Sequence, residues 1–207
     1  AKARIMRKTT QEFRRENLKD LFEKTLKARQ IKLEPLDISV KESWNNDFTV
    51  VELVVNETYS GDQRCREIIE DKAKGFVDGM FKACHSQYAE EHPSLNNIRL
   101  VDYQVEPRFN KPNRTMGSDA ETEVTIMVEV KDHGVAEFSY ISRSILYSSF
   151  VATLEAFQFY INCDNAFRKI KSVLEDAQAR NRADIEQLCM SELAMLTGVN
   201  TYVQKKT

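Results

Sequence analysis

The sequence lacks most of the features that announce chemistry. Its four cysteines, Cys65, Cys84, Cys163 and Cys189, stand far apart and form no Cys-x-x-Cys pair, so they read as reduced, mostly buried thiols of a cytoplasmic protein. Histidine is scarce, and although Cys84, His85 and His92 lie close in sequence, adjacent residues of a helix point to different sides and two turns separate the histidines. No metal site is expected there. Glycine-rich phosphate loops, nucleophile elbows and kinase-like motifs are missing, and acidic pairs such as Glu90-Glu91 read as a solvated helix end rather than acid–base machinery. No catalytic residues, cofactor or metal are therefore expected in this chain. No run approaches the roughly 18 apolar residues that span a bilayer, and the amino terminus lacks the apolar stretch of a secretory signal. Charge of one sign is not in excess either, 30 Lys and Arg standing against 32 Asp and Glu, which argues against a general nucleic-acid binder.

What is present is the composition of a folded protein. The 207 residues, 42% hydrophobic and 30% charged, can fill one substantial core or two small ones. The chain begins at Ala1 without a methionine, leaving room for a domain upstream.

The apolar periodicity divides the chain into a repeated unit with helical flanks. Residues 1–31 read as a helix on Phe13, Leu18, Leu21, Phe22 and Leu26, its basic start being a solvated face. Pro35 is expected to close that stretch before a strand through Leu36, Ile38 and Val40. A turn at Asn45-Asn46-Asp47, a strand over Phe48–Asn56, a turn at Tyr59-Ser60-Gly61-Asp62 and a strand over Gln63–Asp71 complete a three-stranded meander. Gly75 then opens a helix to about Ala89. After the break at His92-Pro93-Ser94 the same order returns. Strands are expected over Ile98–Pro107, Ala120–Val130 and Val135–Ile141, with an exposed loop at Phe109–Ser118, a hairpin turn at Lys131-Asp132-His133-Gly134 and a helix over Ser142–Asn162. Residues Ala166–Leu196 form a last helix or helix pair, with Gly198 at its cap. The fold class is thus α+β: two βββα units, at about 35–92 and 97–163, flanked by helical segments 1–34 and 164–207. Met80, Phe81, Phe150 and Phe157 are expected to be core or dimer contacts.

Ala73-Lys74-Gly75-Phe76-Val77-Asp78-Gly79-Met80-Phe81, Leu100-Val101-Asp102-Tyr103-Gln104-Val105, Gly117-Ser118-Asp119-Ala120 and Ser148-Ser149-Phe150-Val151-Ala152 occur in that order. Through them the segment from about Leu36 to Asn162 resembles the carboxy-terminal regulatory, or allosteric dimerisation, domain of alpha-isopropylmalate synthase and the citramalate synthases. That family shows Gly-x-Gly-Pro-Val-Asp-Ala-x-Phe, Leu-x-x-Tyr-x-Val, Gly-x-Asp-Ala and Ala-Ser-x-x-Ala at the matching places. Here Ala73 replaces the first glycine, Phe76 the proline, and Ser144 an acidic residue before the last helix. The resemblance implies a homodimer that binds leucine or isoleucine where the turns meet, and a metal-dependent TIM-barrel catalytic domain in the same or another chain.

An amino-acid effector needs donors for its carboxylate, an acceptor for its ammonium and an apolar pocket. The free N–H groups and positive end of a helix at Gly75, Phe76 and Val77 supply the first. Asp78, Asp102 or Asp119 would take the ammonium, and Tyr103, Ala120 and Ser144 complete the candidate site. Against this stands the plainer expectation that Gly75 permits the turn, Asp78 charges the first helical turn, and Tyr103 is a core aromatic. Two other functions fit the pattern: a purely structural dimerisation module with Phe76 filling the helix mouth, or a double-stranded-RNA-binding domain. The latter lacks a basic run at its final helix mouth, where Ser142-Arg143-Ser144 holds one arginine.

Overall fold

The computed structural model describes residues 15–45, 47–108 and 120–202. The expected loop at Phe109–Ser118, Asp119, the first part of the amino-terminal helix and Asn46 of the first turn lie outside these. Helix α1 (residues 15–25) leads through a 3-10 turn, Lys27–Arg29, into β1 (Lys32–Ser43), β2 (Phe48–Tyr59) and β3 (Asp62–Ala73), followed by α2 (Phe76–Tyr88). A second 3-10 turn, Pro93–Asn97, opens β4 (Ile98–Pro107), β5 (Thr122–Val130), β6 (Gly134–Ser142), α3 (Ile145–Ala179) and α4 (Ala183–Thr197). Each meander is an antiparallel sheet in sequence order, β1-β2-β3 and β4-β5-β6. The architecture is α+β, with the order strand, strand, strand, helix occurring twice.

The hairpins follow from their turn residues. Ser60 and Gly61 join β2 to β3 at φ 55° and 89°, the left-handed pair of a two-residue turn whose twist matches that of the strands. On the central strands every second residue is buried: Val51, Leu53 and Val55 on β2, and Val124, Ile126, Val128 and Val130 on β5. Helix α2 lies on β2 and β3, and α3 lies on β5, β6 and β1. Phe81 of α2 meets Phe157 of α3 with ring centroids 5.0 Å apart. The buried residues of both units thus form one cluster, into which Leu18, Phe22 and Leu26 also pack, and Met80, Phe81, Phe150 and Phe157 belong to it.

The units share details that go beyond element order. In β1 the register slips between Pro35 and Asp37, and in β4 between Leu100 and Asp102. Each slip leaves one apolar residue, Leu36 or Val101, exposed. In each, the aspartate that follows accepts a hydrogen bond from the next backbone N–H, Ile38 N to Asp37 Oδ1 at 2.9 Å and Tyr103 N to Asp102 Oδ1 at 2.8 Å. The helix starts match as well. Gly79, fourth residue of α2, lies so near β3 that an added Cβ would stand 3.1 Å from Ala73 Cβ. Ser148, fourth residue of α3, hydrogen-bonds Ser142 of β6 at 2.7 Å. A small residue at the fourth helical position therefore sits at the helix–sheet contact in each unit, in α2 nearest to Val51 of β2 and in α3 against Ser142 of β6.

Two sequence expectations are corrected. Pro35 does not end a helix; it lies inside β1, whose first residue is Lys32. An edge strand with a bulge tolerates the missing N–H. The polar run Asn162-Cys163-Asp164-Asn165, read as a boundary at 163, is also uninterrupted α-helix from Ile145 to Ala179. Tertiary partners keep it helical: Asn162 bonds Ile31, and Asp164 pairs with His92. The helix ends instead at Ala179, and Asn181 just beyond it, φ 53°, tolerates the left-handed conformation that turns the chain away.

All four cysteines are free, with Cys65 exposed and the other three buried. Burial pushes the Cys84 thiol up to about 12, and burial, with a smaller push from Asp164, raises that of Cys163, so neither supplies a thiolate near neutral pH. A native titration with a disulfide reagent at pH 8 should modify Cys65 rapidly and the other three only after urea. Two or more fast thiols would contradict this packing.

Candidate functional site

The structure brings some of the candidate residues together and separates others. Phe76, first residue of α2, sets its ring edge-on to that of Tyr103, centroids 6.0 Å apart. Tyr103 Oη in turn lies 3.1 Å from Ser149 Oγ, which donates its own proton to the Ile145 carbonyl at 2.7 Å. With that proton engaged, the tyrosine is the donor in the Tyr103–Ser149 bond. Phe76, Tyr103 and Ser149 thereby join the start of α2 to the first turns of α3 across the two units. Ser144 is at the same end of α3, where it caps the helix by accepting from Tyr147 N at 3.2 Å.

The remaining candidates are occupied locally. Asp78 accepts from Lys74 N at 3.2 Å and pairs with Lys82 Nζ at 2.7 Å. Asp102 is exposed and holds its bulge while accepting from Gln104 Nε2 at 3.0 Å. Val77 is half-buried against the core, Ala120 precedes β5 outside any element, and Asp119 is outside the described residues. Gly75 is extended, φ 176°, and a Cβ on it would meet nothing within 4 Å. Glycine is therefore not required at the mouth of α2, whereas Gly79 is closely confined.

Two larger clefts lie elsewhere among the described residues. One of about 460 Å³ runs between α1, β6 and α3; Glu16, Glu23, Glu123, Glu137 and Glu155 line it against Arg15 and Lys19. Arg15 partly fills it, donating to the Glu137 carbonyl at 2.5 Å with its guanidinium 4.7 Å from the Phe138 ring centre.

The second, of about 540 Å³, lies at the hairpin end of the first sheet. There the inner face changes from apolar to charged, because the pairs that follow Val55–Arg66 are Glu57–Arg64 and Tyr59–Asp62. Glu57 is buried and holds Arg66 through Nε at 2.5 Å and Nη2 at 3.3 Å, a contact that raises the Arg66 pKa. On the opposite wall the buried Asp164 carboxylate pairs with His92 Nδ1 at 3.0 Å and Arg168 Nη2 at 2.5 Å, and Arg168 also donates to the Glu91 carbonyl at 2.7 Å. The Tyr88 phenol is raised above its usual value, chiefly by burial and also by Cys84 and Glu57. Its hydroxyl feels the Glu57 charge yet completes no hydrogen bond among the described residues. These residues were not candidates in the sequence, since they come from four separate stretches with no motif. The one available signal was the charged alternation Arg64-x-Arg66 on the strand face that also carries the buried Ile68.

Among the described residues no group of three or more His, Cys, Asp or Glu side chains is placed to hold a metal ion, and no helix is long and apolar enough to cross a membrane. No known protein family matches the chain, and no curated protein matches it.

Proposed function

We propose that the chain is a regulatory and dimerisation module of the kind found in alpha-isopropylmalate and citramalate synthases. In this reading it binds a small amino-acid effector and passes the signal to a catalytic barrel in the same or another chain. The observation that carries the reading is the paired βββα unit, repeated down to the Asp37 and Asp102 bulges and the small residues that seat each helix. Two similar units in contact can shift against each other, and a ligand with different affinity for the two arrangements moves that equilibrium. A second copy would bury the apolar side chains left exposed on α3 and α4, Val173, Leu188 and Met195 among them. A reducing cytoplasm suits four free thiols. Calorimetry and thermal shift with leucine, isoleucine and valine test the proposal. Binding of at least one is expected, and neither heat nor shift with any would remove the sensing role.

A second reading, a purely structural dimerisation module, is favoured by the Phe76 ring lying against Tyr103 and by the engagement of Asp78 with Lys74 and Lys82. Both observations bear on the mouth of α2, and they count against that mouth as the place where an effector sits.

A further inference from the structure

We propose that the effector site is the cleft at the hairpin end of the first sheet, and that its ligand is a free α-amino acid held by both of its charges. The inference rests on the regulatory reading and relocates its site. Three arguments support it.

The first is preorganisation. Arg66 and Arg168 are each fixed by a buried carboxylate, Glu57 and Asp164, yet a guanidinium carries five donors and these pairings leave several unused. Arg64 stands opposite Glu57 on the neighbouring strand with no partner among the described residues. Three guanidiniums on facing walls, two of them immobilised, form a receptor for one carboxylate.

The second is mixed charge. Arg64, Arg66 and Arg168 line the cleft together with Glu57, Asp62 and Glu91, and Asp164 stands behind Arg168, so groups of both signs face the same space. A lining of mixed sign does not concentrate a simple anion or a simple cation, but it suits a dipolar molecule whose two ends meet opposite charges. Glu57 is taken by Arg66. Asp62 and Glu91 line the same space, Glu91 acting on Arg66 through its charge alone, and they would receive the ammonium.

The third is size and position. A volume of about 540 Å³ falls in the range of small-molecule sites, which run from about 300 to 1,000 Å³. Tyr59 and Ile31 supply apolar wall for an aliphatic side chain. The cleft is bounded by the β2–β3 hairpin of the first unit, by His92 in the link between units, and by α3 of the second. A ligand bridging these walls favours one placement of the first sheet against α3, which gives the regulatory reading a physical lever.

Calorimetry with leucine on the intact chain, its Arg64→Ala and Asp62→Asn variants, and two modified ligands tests the proposal. Both side chains are exposed, so each variant should melt as the parent does. Arg64→Ala should weaken leucine binding at least tenfold and Asp62→Asn should weaken it measurably. N-acetyl-leucine, without the ammonium, and leucinamide, without the carboxylate, should each bind the parent chain at least tenfold more weakly than leucine. Unchanged leucine affinity in Arg64→Ala would overturn the location and leave the regulatory reading standing. Equal affinity for leucine and leucinamide would overturn the charge-based recognition. No leucine binding by the parent chain would overturn both.

Discussion

Replacing Asn162 with leucine is expected to cost about 3 kcal/mol of folding stability and to lower Tm by about 6–12 °C. Asn162 is 3% exposed on α3. Its Oδ1 accepts from Ile31 N at 2.9 Å and its Nδ2 donates to the Ile31 carbonyl at 3.0 Å. Those two backbone groups stand just before an edge strand, and Asn162 satisfies both. Leucine has the same heavy-atom branching with bulkier methyl ends, so no cavity opens. The cost comes from stranding a buried donor and a buried acceptor, each worth roughly 1–3 kcal/mol. Gln158, one turn earlier, makes the corresponding single bond to Leu33 N at 2.9 Å in a less buried place, so Gln158→Ala should cost less. Urea unfolding of the three proteins measures the difference. A loss below about 1 kcal/mol for Asn162→Leu would mean that water reaches Ile31 and that this contact does not seal the strand.

Gly79→Val should be about as damaging, with a loss near 3 kcal/mol. A Cβ at position 79 would stand 2.5 Å from Val51 Cγ2 and 3.1 Å from Ala73 Cβ. Val51 is fully buried and, being β-branched, has little rotamer freedom with which to yield. Alanine at the same position gains about 1 kcal/mol of helix propensity yet meets the same contact, so a smaller net loss is expected. A double-mutant cycle separates the two effects. In a Val51→Ala background the 2.5 Å contact is removed while those to Ala73 Cβ at 3.1 Å and to the Cβ of residue 51 at 3.2 Å remain, so Gly79→Ala should cost less than it does in the parent, a coupling of roughly 1–2 kcal/mol. Strict additivity of the two changes would show that α2 moves off the sheet instead of resting on Val51.

Much of the fold was legible because it follows from local rules. Alternation on Val124, Ile126, Val128 and Val130, together with turn residues such as Ser60-Gly61 and Asp132-His133-Gly134, fixes strands and hairpins without reference to the rest of the chain. Contradictory local signals hid the remainder. Proline at 35 reads as a stop, and only its place on an edge at a bulge makes it part of β1. Asn162 and Asp164 read as a helix end because their partners, Ile31 and His92, are far away in sequence. The candidate site divided along the same line. The resemblance pointed to the mouth of α2, and the structure does assemble Phe76, Tyr103 and Ser149 there. It gives Asp78 and Asp102 local hydrogen-bonding work instead. The cleft drew on Arg64, His92 and Arg168, which only strand pairing and the path of α3 bring together. The bulge repeat, Leu36-Asp37-Ile38 and Val101-Asp102-Tyr103, was readable in retrospect as an apolar residue, an aspartate and a second apolar residue at the same step of each unit.

The Asn162 contact also sets an order of events during synthesis. The ribosome releases the chain from its amino end, so the first meander and α2 emerge before the residue that closes over Ile31, which follows it by 131 positions, has been made. Throughout that interval β1 presents an open row of backbone donors and acceptors, the geometry most prone to pairing with a neighbouring nascent chain. The bulge at Pro35–Asp37 and the charged residues Lys32, Glu34 and Asp37 along that strand are the features that discourage such pairing before α3 arrives.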